Sequence, residues 1–136
     1  MSAWKRLPGQ PGGAKYGNKK VIVDDMEFQS RKEGRRWSQL RLMEKAGMIH
    51  GLERQVEFEL IPVQREPDRT GPRGGVIRGK VIEKKCSYFA DFVYYNKEGQ
   101  RVVEDAKGYR DGQAYAVFTI KRKLMLQKYG IRVQEV

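Results

Sequence analysis

The feature that most constrains the fold is one hairpin in the second half of the chain. Residues 86–95, CSYFADFVYY, are rich in the aromatic and β-branched residues that favour a β-strand. Residues 96–99, NKEG, have the composition of a hairpin turn, and residues 100–107, QRVVEDAK, that of a returning strand. The fold must therefore accommodate an antiparallel strand pair whose first strand is apolar enough to lie inside a sheet.

A carboxylate interrupts the apolar strand of this hairpin. Asp91 stands in the middle of the apolar run, where a carboxylate is costly unless it is paired or binds a metal ion. Asp105 and Lys107 share a face of the returning strand, because side chains alternate with a period of two. A turn at residues 97–98 places Asp91 opposite about residue 104. The pattern predicts that Asp91, Asp105 and Lys107 converge at one sheet edge.

Periodicity and turn residues predict the rest of the fold. Residues 1–18 are predicted to be a flexible basic N-terminal arm, and residues 19–136 a single domain. The order of elements predicts an α/β class, more closely an α+β fold, with a mixed sheet flanked by helices. The expected elements are a strand pair at 19–28, a helix at 31–47 capped by Ser30, a strand at 55–62, a loop at 63–75, a short strand at 76–83, a helix at 112–129 ended by Gly130, and a strand at 131–136.

Charge narrows the class of partner. The chain has 28 Lys and Arg against 17 Asp and Glu, a formal net charge of +11, which attracts polyanions and makes nucleic acid the expected partner. Its single Cys and single His exclude an internal disulfide and the common zinc motifs. No apolar run approaches the ~20 residues of a membrane span, and the first residues lack a signal-peptide core. We therefore expect no membrane partner and a cytoplasmic location.

The acidic and basic residues of the hairpin suit phosphodiester hydrolysis. A hard cation such as Mg²⁺ takes oxygen ligands, lowers the pKa of a bound water and screens charge on the phosphate. Asp91, Asp105 and the backbone carbonyl of Ala106 supply such ligands and leave positions open for water and substrate. Lys107 can orient the attacking water and stabilise the transition state.

Asp91, a hairpin, and then Asp105-Ala106-Lys107 resemble the PD-(D/E)XK nuclease superfamily. The upstream helix with Glu33 resembles the branch that contains Holliday-junction resolvases, phage endonuclease I and transposon end-cleaving nucleases. The phrases FQSRKEGRRW, LMEKAGMIHGLERQVEFEL, YFADFVYY and VVEDAKGYR are similar to a phage and prophage family of small proteins of unknown function. This similarity spans roughly residues 15–136.

The resemblance implies a restriction-endonuclease-like core, in which a mixed four-stranded sheet is flanked by helices. It implies Mg²⁺ or Mn²⁺ held by Glu33, Asp91, Asp105 and Ala106, with Lys107 completing the catalytic set. It also implies cleavage of branched, junction or flap DNA, leaving a 5′-phosphate and a 3′-hydroxyl, in the cytoplasm of a bacterial host. A substrate with two scissile strands favours a homodimer.

Three positions depart from the superfamily pattern. Ala90 stands where the name of the superfamily has proline, and Asp105 stands where glutamate is commoner. Gly34 follows the helical Glu33 and weakens the helix by ~1 kcal/mol relative to alanine. None of the three removes a ligand.

Several candidate residues have a structural alternative. Glu33 completes an S-x-x-E capping box with Ser30, so it either caps the helix or binds metal. Gln55 either contacts the ligands or substrate, or is polar because it opens a strand. Glu104 faces away from Asp105 and is expected to be a surface carboxylate or an ion-pair partner. The candidates for nucleic-acid contact, each with a solvated surface residue as its alternative, are Arg31, Lys32, Arg35, Arg36, Tyr109, Arg110, Lys121 and Lys123.

The sequence leaves three functions open. The first is a metal-dependent endodeoxyribonuclease. The second is a non-catalytic basic protein that binds nucleic acid and uses its acidic residues only structurally. The third is a basic structural or assembly protein with weak, salt-sensitive binding.

Overall fold

The computed structural model describes residues 20–108 and 110–136, so the predicted N-terminal arm lies outside the described residues. The described chain confirms the α+β class, with a mixed four-stranded sheet, two helices and an N-terminal strand hairpin. Its elements are β1 Val21–Val23, β2 Met26–Phe28, α1 Arg31–Lys45, β3 His50–Ile61, β4 Gln64–Arg65, β5 Arg69–Thr70, β6 Val76–Ile77, β7 Val81–Glu83, β8 Cys86–Tyr95, β9 Arg101–Asp105, α2 Gly112–Tyr129 and β10 Gln134–Glu135.

The central sheet has the strand order β10-β9-β8-β3. β8 pairs antiparallel with both of its neighbours, whereas β10 runs parallel to β9. The pair Phe92 and Glu104 fixes the register of the β8–β9 hairpin. Continued by one residue, this register places Asp91 opposite Asp105, one position from the predicted partner.

Two hydrophobic clusters cover opposite faces of β9, because its neighbouring residues Val102 and Val103 pack into different clusters. The α1 cluster lies under the first helix, and the α2 cluster lies under the second. The α1 cluster consists of Phe28, Trp37, Leu40, Ile49, Phe92 and Tyr94. The α2 cluster consists of Phe58, Leu60, Tyr88, Ala90, Val93, Val103, Phe118, Met125 and Val133.

The β3–β8 strand pair changes faces along its length. On β8, Phe92 packs in the α1 cluster but Ala90 packs in the α2 cluster. On β3, Leu52 packs against the α1 cluster and Val56 against the α2 cluster. Residues an even number apart share one face of a regular strand, so both strands must be irregular between these positions.

The irregularity falls on the row that contains Gln55 and Asp91. Gln55 has a φ of 53°, in the left-handed region that costs a non-glycine residue about 1–3 kcal/mol. The pairs Arg54–Phe92 and Val56–Ala90 flank this row, so the register places Gln55 opposite Asp91. The side chains of this strand pair thus change faces at the polar row formed by Gln55 and Asp91.

The N-terminal hairpin covers one side of α1. Asp24 and Asp25 both have positive φ, at 51° and 61°, so the turn between β1 and β2 has the double left-handed geometry that suits a two-residue hairpin. A Cβ on Gly34 would lie 2.9 Å from a methyl carbon of Val21. Glycine at this position therefore permits the close approach of helix and hairpin, which explains one departure from the family pattern.

A buried ion pair joins α1 to the central sheet. The guanidinium of Arg36 donates to both carboxylate oxygens of Glu104, at 2.8 and 2.7 Å, and the Tyr94 hydroxyl also donates to Glu104. Glu104 is 1% exposed, so it is an ion-pair partner as predicted, but not a surface carboxylate. Charge-assisted bidentate hydrogen bonds of this kind fix both distance and orientation.

α1 ends at Lys45 instead of residue 47, and the last strand is Gln134–Glu135 instead of residues 131–136. Two other segments differ more from the sequence prediction. β3 begins at His50, five residues before the predicted start. Residues 50–54 alternate only weakly between apolar and polar side chains, but they pair with β8 and therefore join the strand. The predicted loop at 63–75 instead contributes two short strands, and these pair with strands at 76–77 and 81–83. The high Pro and Gly content predicts a loop. Antiparallel pairing between residues 64–70 and residues 76–83 nevertheless forms short strands here.

Replacing Glu104 with Gln should lower the free energy of unfolding by about 2–3 kcal/mol, because the partly buried Arg36 would lose its counter-charge. Urea denaturation followed by circular dichroism measures the change. Glu27→Gln is the matched control, since Glu27 pairs with Lys20 at the surface and its loss should cost less than about 0.5 kcal/mol. Equal effects of the two substitutions would contradict a structural role for the Arg36–Glu104 pair.

Candidate active site

Three neighbouring strands contribute one polar side chain each to a single row. Gln55 comes from β3, Asp91 from β8 and Asp105 from the end of β9. β10 fixes the continuation of β9, because the Lys107 amide donates to the Val136 carbonyl and the Val136 amide donates to the Asp105 carbonyl. The segment that follows β9 is thereby held extended beside the row.

Asp105 is 5% exposed and has a partner at each carboxylate oxygen. The Lys107 ammonium lies 2.8 Å from Oδ1, and the Tyr88 hydroxyl donates to Oδ2 at 2.6 Å. Burial, followed by the charge of Asp105, raises the pKa of Tyr88, so its hydroxyl keeps its proton and serves as a fixed donor. The Lys107 ammonium also lies 3.9 Å from the ring centre of Phe118, which holds it over the pocket.

Asp91 is partly buried next to this pair. Its Oδ2 accepts from the Ala106 amide at 2.8 Å, and its Oδ1 accepts from the Gln55 side-chain amide at 3.2 Å. Burial is the largest influence and the charge of Asp105 the second, and together they raise the pKa of Asp91 to about 7. The two opposed carboxylates therefore carry more negative charge than Lys107 alone offsets.

Glu33 satisfies both of its sequence interpretations. Its amide donates to the Ser30 hydroxyl, and its Oε2 accepts from the Gln29 amide, so it helps to cap α1. Its Oε1 faces the sheet, 3.4 Å from the Gln55 amide and 3.9 Å from Arg54. Burial raises the pKa of Glu33, and the charge of Asp105 acts in the same direction. Capping uses one oxygen, and the other faces the polar row.

The four predicted catalytic residues line one pocket of about 390 Å³. Ala106 lines it too, as does Lys121 from α2. Gln55 does not line the pocket, but its side-chain amide donates to the carboxylates of Asp91 and Glu33. The structure therefore brings Glu33 of α1, which is distant in the sequence, together with Asp91, Asp105, Ala106 and Lys107 of the hairpin and its continuation.

The donor types in this pocket suit a hard divalent cation, since carboxylate and carbonyl oxygens are its preferred ligands. In residues 20–108 and 110–136, however, no three His, Cys, Asp or Glu side chains are arranged closely enough to hold an ion. Each of these carboxylates already has a partner: the Lys107 ammonium pairs with Asp105, the Gln29 amide donates to Glu33, and the Gln55 side-chain amide donates to Asp91. Ion binding would exchange some of these contacts for metal–oxygen contacts.

The predicted nucleic-acid contacts separate into groups. Lys121 lies in the pocket, and the ammonium of Lys32 donates to the Lys107 carbonyl at its rim. Arg31, Arg35, Lys123 and Arg110 are exposed outside the pocket. Tyr109 lies outside the described residues.

The guanidinium of Arg36 is bound to Glu104 on the other face of the sheet, so the structure gives it a structural role instead of a phosphate contact. The sequence could not reveal this, because the two residues are 68 positions apart.

Two aromatic residues of β8 that line the pocket were not identified as such from the sequence. Tyr88, expected to be a packing residue, also donates a hydrogen bond to Asp105. Phe89 is 54% exposed and lines the pocket, although it belongs to an otherwise buried strand. The only sequence signal for Phe89 was its alternation with Tyr88 and Ala90, which points it away from the α2 cluster.

A protein-family model described as "Protein of unknown function (DUF1064)" matches residues 13–134, nearly the whole chain. The comparison with curated proteins and the comparison with solved structures gave no match. Neither helix among the described residues is both long and apolar enough to cross a membrane.

Asp91→Asn should stabilise the protein at pH 8 in EDTA by about 1–3 kcal/mol, because it removes a carboxylate that burial disfavours in its charged form. The folded pKa of Asp91, about 7, exceeds its ordinary value of 3.8, so the folded state binds the proton more tightly. Stability of the unsubstituted protein should then fall as pH rises from about 4 to 7, and the variant should lose this slope.

Urea unfolding at several pH values tests this expectation. Glu53→Gln, an exposed carboxylate of the same strand system, is the matched control and should leave the slope unchanged. A destabilised Asp91→Asn protein at pH 8 would contradict this expectation. It would show that the hydrogen bonds of Asp91 stabilise the fold by more than burial of its charge destabilises it.

Proposed function

The chain belongs to this family of unknown function, and we propose that it is a metal-dependent DNA endonuclease. One observation carries the proposal: Asp91 and Asp105 oppose each other on adjacent strands, and Lys107 lies beside them in the same pocket. This arrangement agrees with the resemblance to PD-(D/E)XK nucleases, in which two acidic residues and a lysine of one hairpin carry the chemistry.

The residues of the pocket would have two roles, to hold a divalent ion and to position the attacking water. Asp91, Asp105, the Ala106 carbonyl and Oε1 of Glu33 would hold Mg²⁺ or Mn²⁺. The ion, when bound, supplies an activated water and screens the charge that builds on the phosphate. Lys107, released from Asp105, positions the attacking water and offsets negative charge on the phosphate oxygens.

Residues behind the ligands orient them. The Tyr88 hydroxyl fixes one oxygen of Asp105, and the Ala106 amide fixes one oxygen of Asp91. Gln55 bridges Asp91 and Glu33 with a single amide group, which couples the sheet to the start of α1. Such supporting hydrogen bonds set ligand orientation and raise metal affinity.

DNA as the substrate is supported by charge. The net charge of +11 favours a polyanion, and exposed Arg31 and Arg35 continue the basic surface along α1 from the pocket rim. These positions would contact the phosphates that flank the scissile bond and fix the register of the strand.

A structure-selective activity on branched, junction or flap DNA is supported by Phe89. An exposed aromatic ring beside the carboxylates offers a stacking platform for an unpaired base, which such substrates present and continuous duplex does not. A homodimer would cut two strands of one junction, and a phage-encoded enzyme of this kind would act in the cytoplasm of the host cell.

A non-catalytic nucleic-acid-binding protein is the second candidate. It is favoured by the hydrogen bonds that already occupy Asp91 and Asp105, since satisfied carboxylates can serve structure alone. This candidate predicts binding that does not depend on divalent ions and no cleavage under any condition.

Purified protein with Mg²⁺ or Mn²⁺ should cut at least one of a four-way junction, a flap, a single strand and a linear duplex, and EDTA should prevent the cut. Asp105→Asn should reduce the cleavage rate by at least about 100-fold and leave binding in EDTA unchanged or tighter. Glu53→Gln is the matched control with normal activity. Cleavage that survives Asp105→Asn would place the chemistry elsewhere, and a complete absence of cleavage would favour the second candidate.

Phe89→Ala should weaken cleavage of junction or flap DNA by about tenfold, the value of one base–aromatic stack. Cleavage of linear duplex should change much less, and Phe89→Trp should retain the preference. Tyr95→Ala removes another exposed aromatic residue of β8, at the far end of the strand, and serves as the control. Equal losses on all substrates would argue against base stacking at Phe89.

A further inference from the structure

A two-stranded ribbon projects between the two longest strands of the sheet. We call residues 62–85 the ribbon arm; it connects β3 to β8 and contains β4, β5, β6 and β7. Within the described chain these strands pair only with one another, β4 with β7 and β5 with β6. The arm therefore continues the strand pair that carries Gln55 and Asp91 without joining the central sheet.

Specific contacts give the arm a defined conformation. The Gly79 amide donates to the Asp68 carboxylate at 2.8 Å, and Arg65 donates to the Gly79 carbonyl at 3.1 Å. The Glu66 amide donates to the Lys80 carbonyl at 2.8 Å. A Cβ on Gly79 would lie 1.6 Å from the Glu66 carbonyl oxygen, so only glycine fits there. A segment built in this way is not an ordinary connecting loop.

The surface of the arm is basic and apolar together. It carries seven Lys and Arg residues against three Asp and Glu. Its aliphatic side chains are unusually exposed, with Val76 at 79% and Ile82 at 61%. Arg69 lies directly opposite Ile77 across the ribbon, so cationic and aliphatic groups share a face. Ordering such a segment costs conformational entropy that its own burial does not offset.

We propose that the ribbon arm is a DNA-binding element that lies in a groove of the duplex flanking the cleavage site. The inference rests on the proposed function in one respect, the choice of DNA as partner. The major groove, about 12 Å wide, admits a two-stranded β-ribbon. Arginines at the edges of the arm contact phosphates, and its aliphatic side chains contact sugars and base edges.

The dimensions of the arm set the length of duplex it can follow. Twelve residues of one strand span at most about 40 Å, which corresponds to roughly twelve base pairs at 3.4 Å each. Arg69, Arg73 and Arg78 are the residues to test, because their side chains form no hydrogen bond or ion pair within the described part of the chain. Their loss should therefore leave the arm intact, unlike loss of Arg65.

The test compares two variants of equal net charge in EDTA. One is the triple variant Arg69→Gln, Arg73→Gln and Arg78→Gln; the control is Lys45→Gln, Lys97→Gln and Lys128→Gln, which changes exposed lysines outside the arm and the pocket. Binding to labelled duplexes of about 12 and about 40 bp is followed by fluorescence anisotropy over a range of salt concentrations. Circular dichroism tests whether each variant keeps the fold, and sedimentation velocity tests whether it keeps the association state.

The arm variant should bind the long duplex about 30-fold more weakly than the unsubstituted protein, with a salt slope lower by about two to three. The control variant should lose less than about threefold on either duplex. Equal weakening by both variants overturns the proposal. A change in association state confined to the arm variant also overturns it, because the arm would then bind a second copy of the chain.

These outcomes are separable from those of the nuclease assay. If the protein cuts no DNA but the arm variant alone loses binding, the arm proposal stands and the endonuclease proposal falls. If the protein cuts DNA and the arm variant binds as the control does, the reverse conclusion holds.

Discussion

The repulsion between Asp91 and Asp105 is the constraint around which the rest of the site is organised. Their strands place them face to face, and burial removes the water that would otherwise screen them. The groups nearby offset this cost with an ammonium, a hydroxyl and a backbone amide. Burial and the charge of Asp105 disfavour an ionised Asp91, and ionisable groups that are disfavoured in this way are typical of functional sites.

The fold holds this pair in place through interactions on the opposite face of the sheet. Glu104 is the residue before Asp105 on β9, so its side chain points to the opposite face of the sheet. There it binds Arg36 of α1. The same helix carries Glu33, so this ion pair and the α1 cluster together hold Glu33 beside the strands of Asp91 and Asp105. The strained backbone of Gln55 completes the arrangement, because it brings an amide to both Asp91 and Glu33.

The proposed functions divide between two parts of one strand pair. The row at Gln55 and Asp91 belongs to the candidate chemistry, and the ribbon arm, further along the same strands, belongs to substrate binding. Because strands are stiff elements, an arm that continues from them can hold DNA in a defined relation to the pocket. Basic side chains on α1 and in the pocket would supply further phosphate contacts.

The sequence by itself determined the elements whose patterns are local. β8 and α2 have the predicted bounds, since strand composition and a glycine that ends a helix at position 130 are local signals. The close spacing of Asp91, Asp105 and Lys107 also followed from the hairpin, and the register was missed by one residue only. A hairpin is predictable because its turn fixes which residues can meet.

Only the tertiary structure decided the features that join distant segments. The pairing of Arg36 with Glu104, the hydrogen bond of Tyr88 to Asp105 and the positive φ of Gln55 depend on packing between elements. The ribbon arm belongs with them, because pairing of its own two strands overrode a composition typical of a loop. Composition and period describe neighbours along the chain, whereas these contacts are chosen by which faces the folded chain brings together.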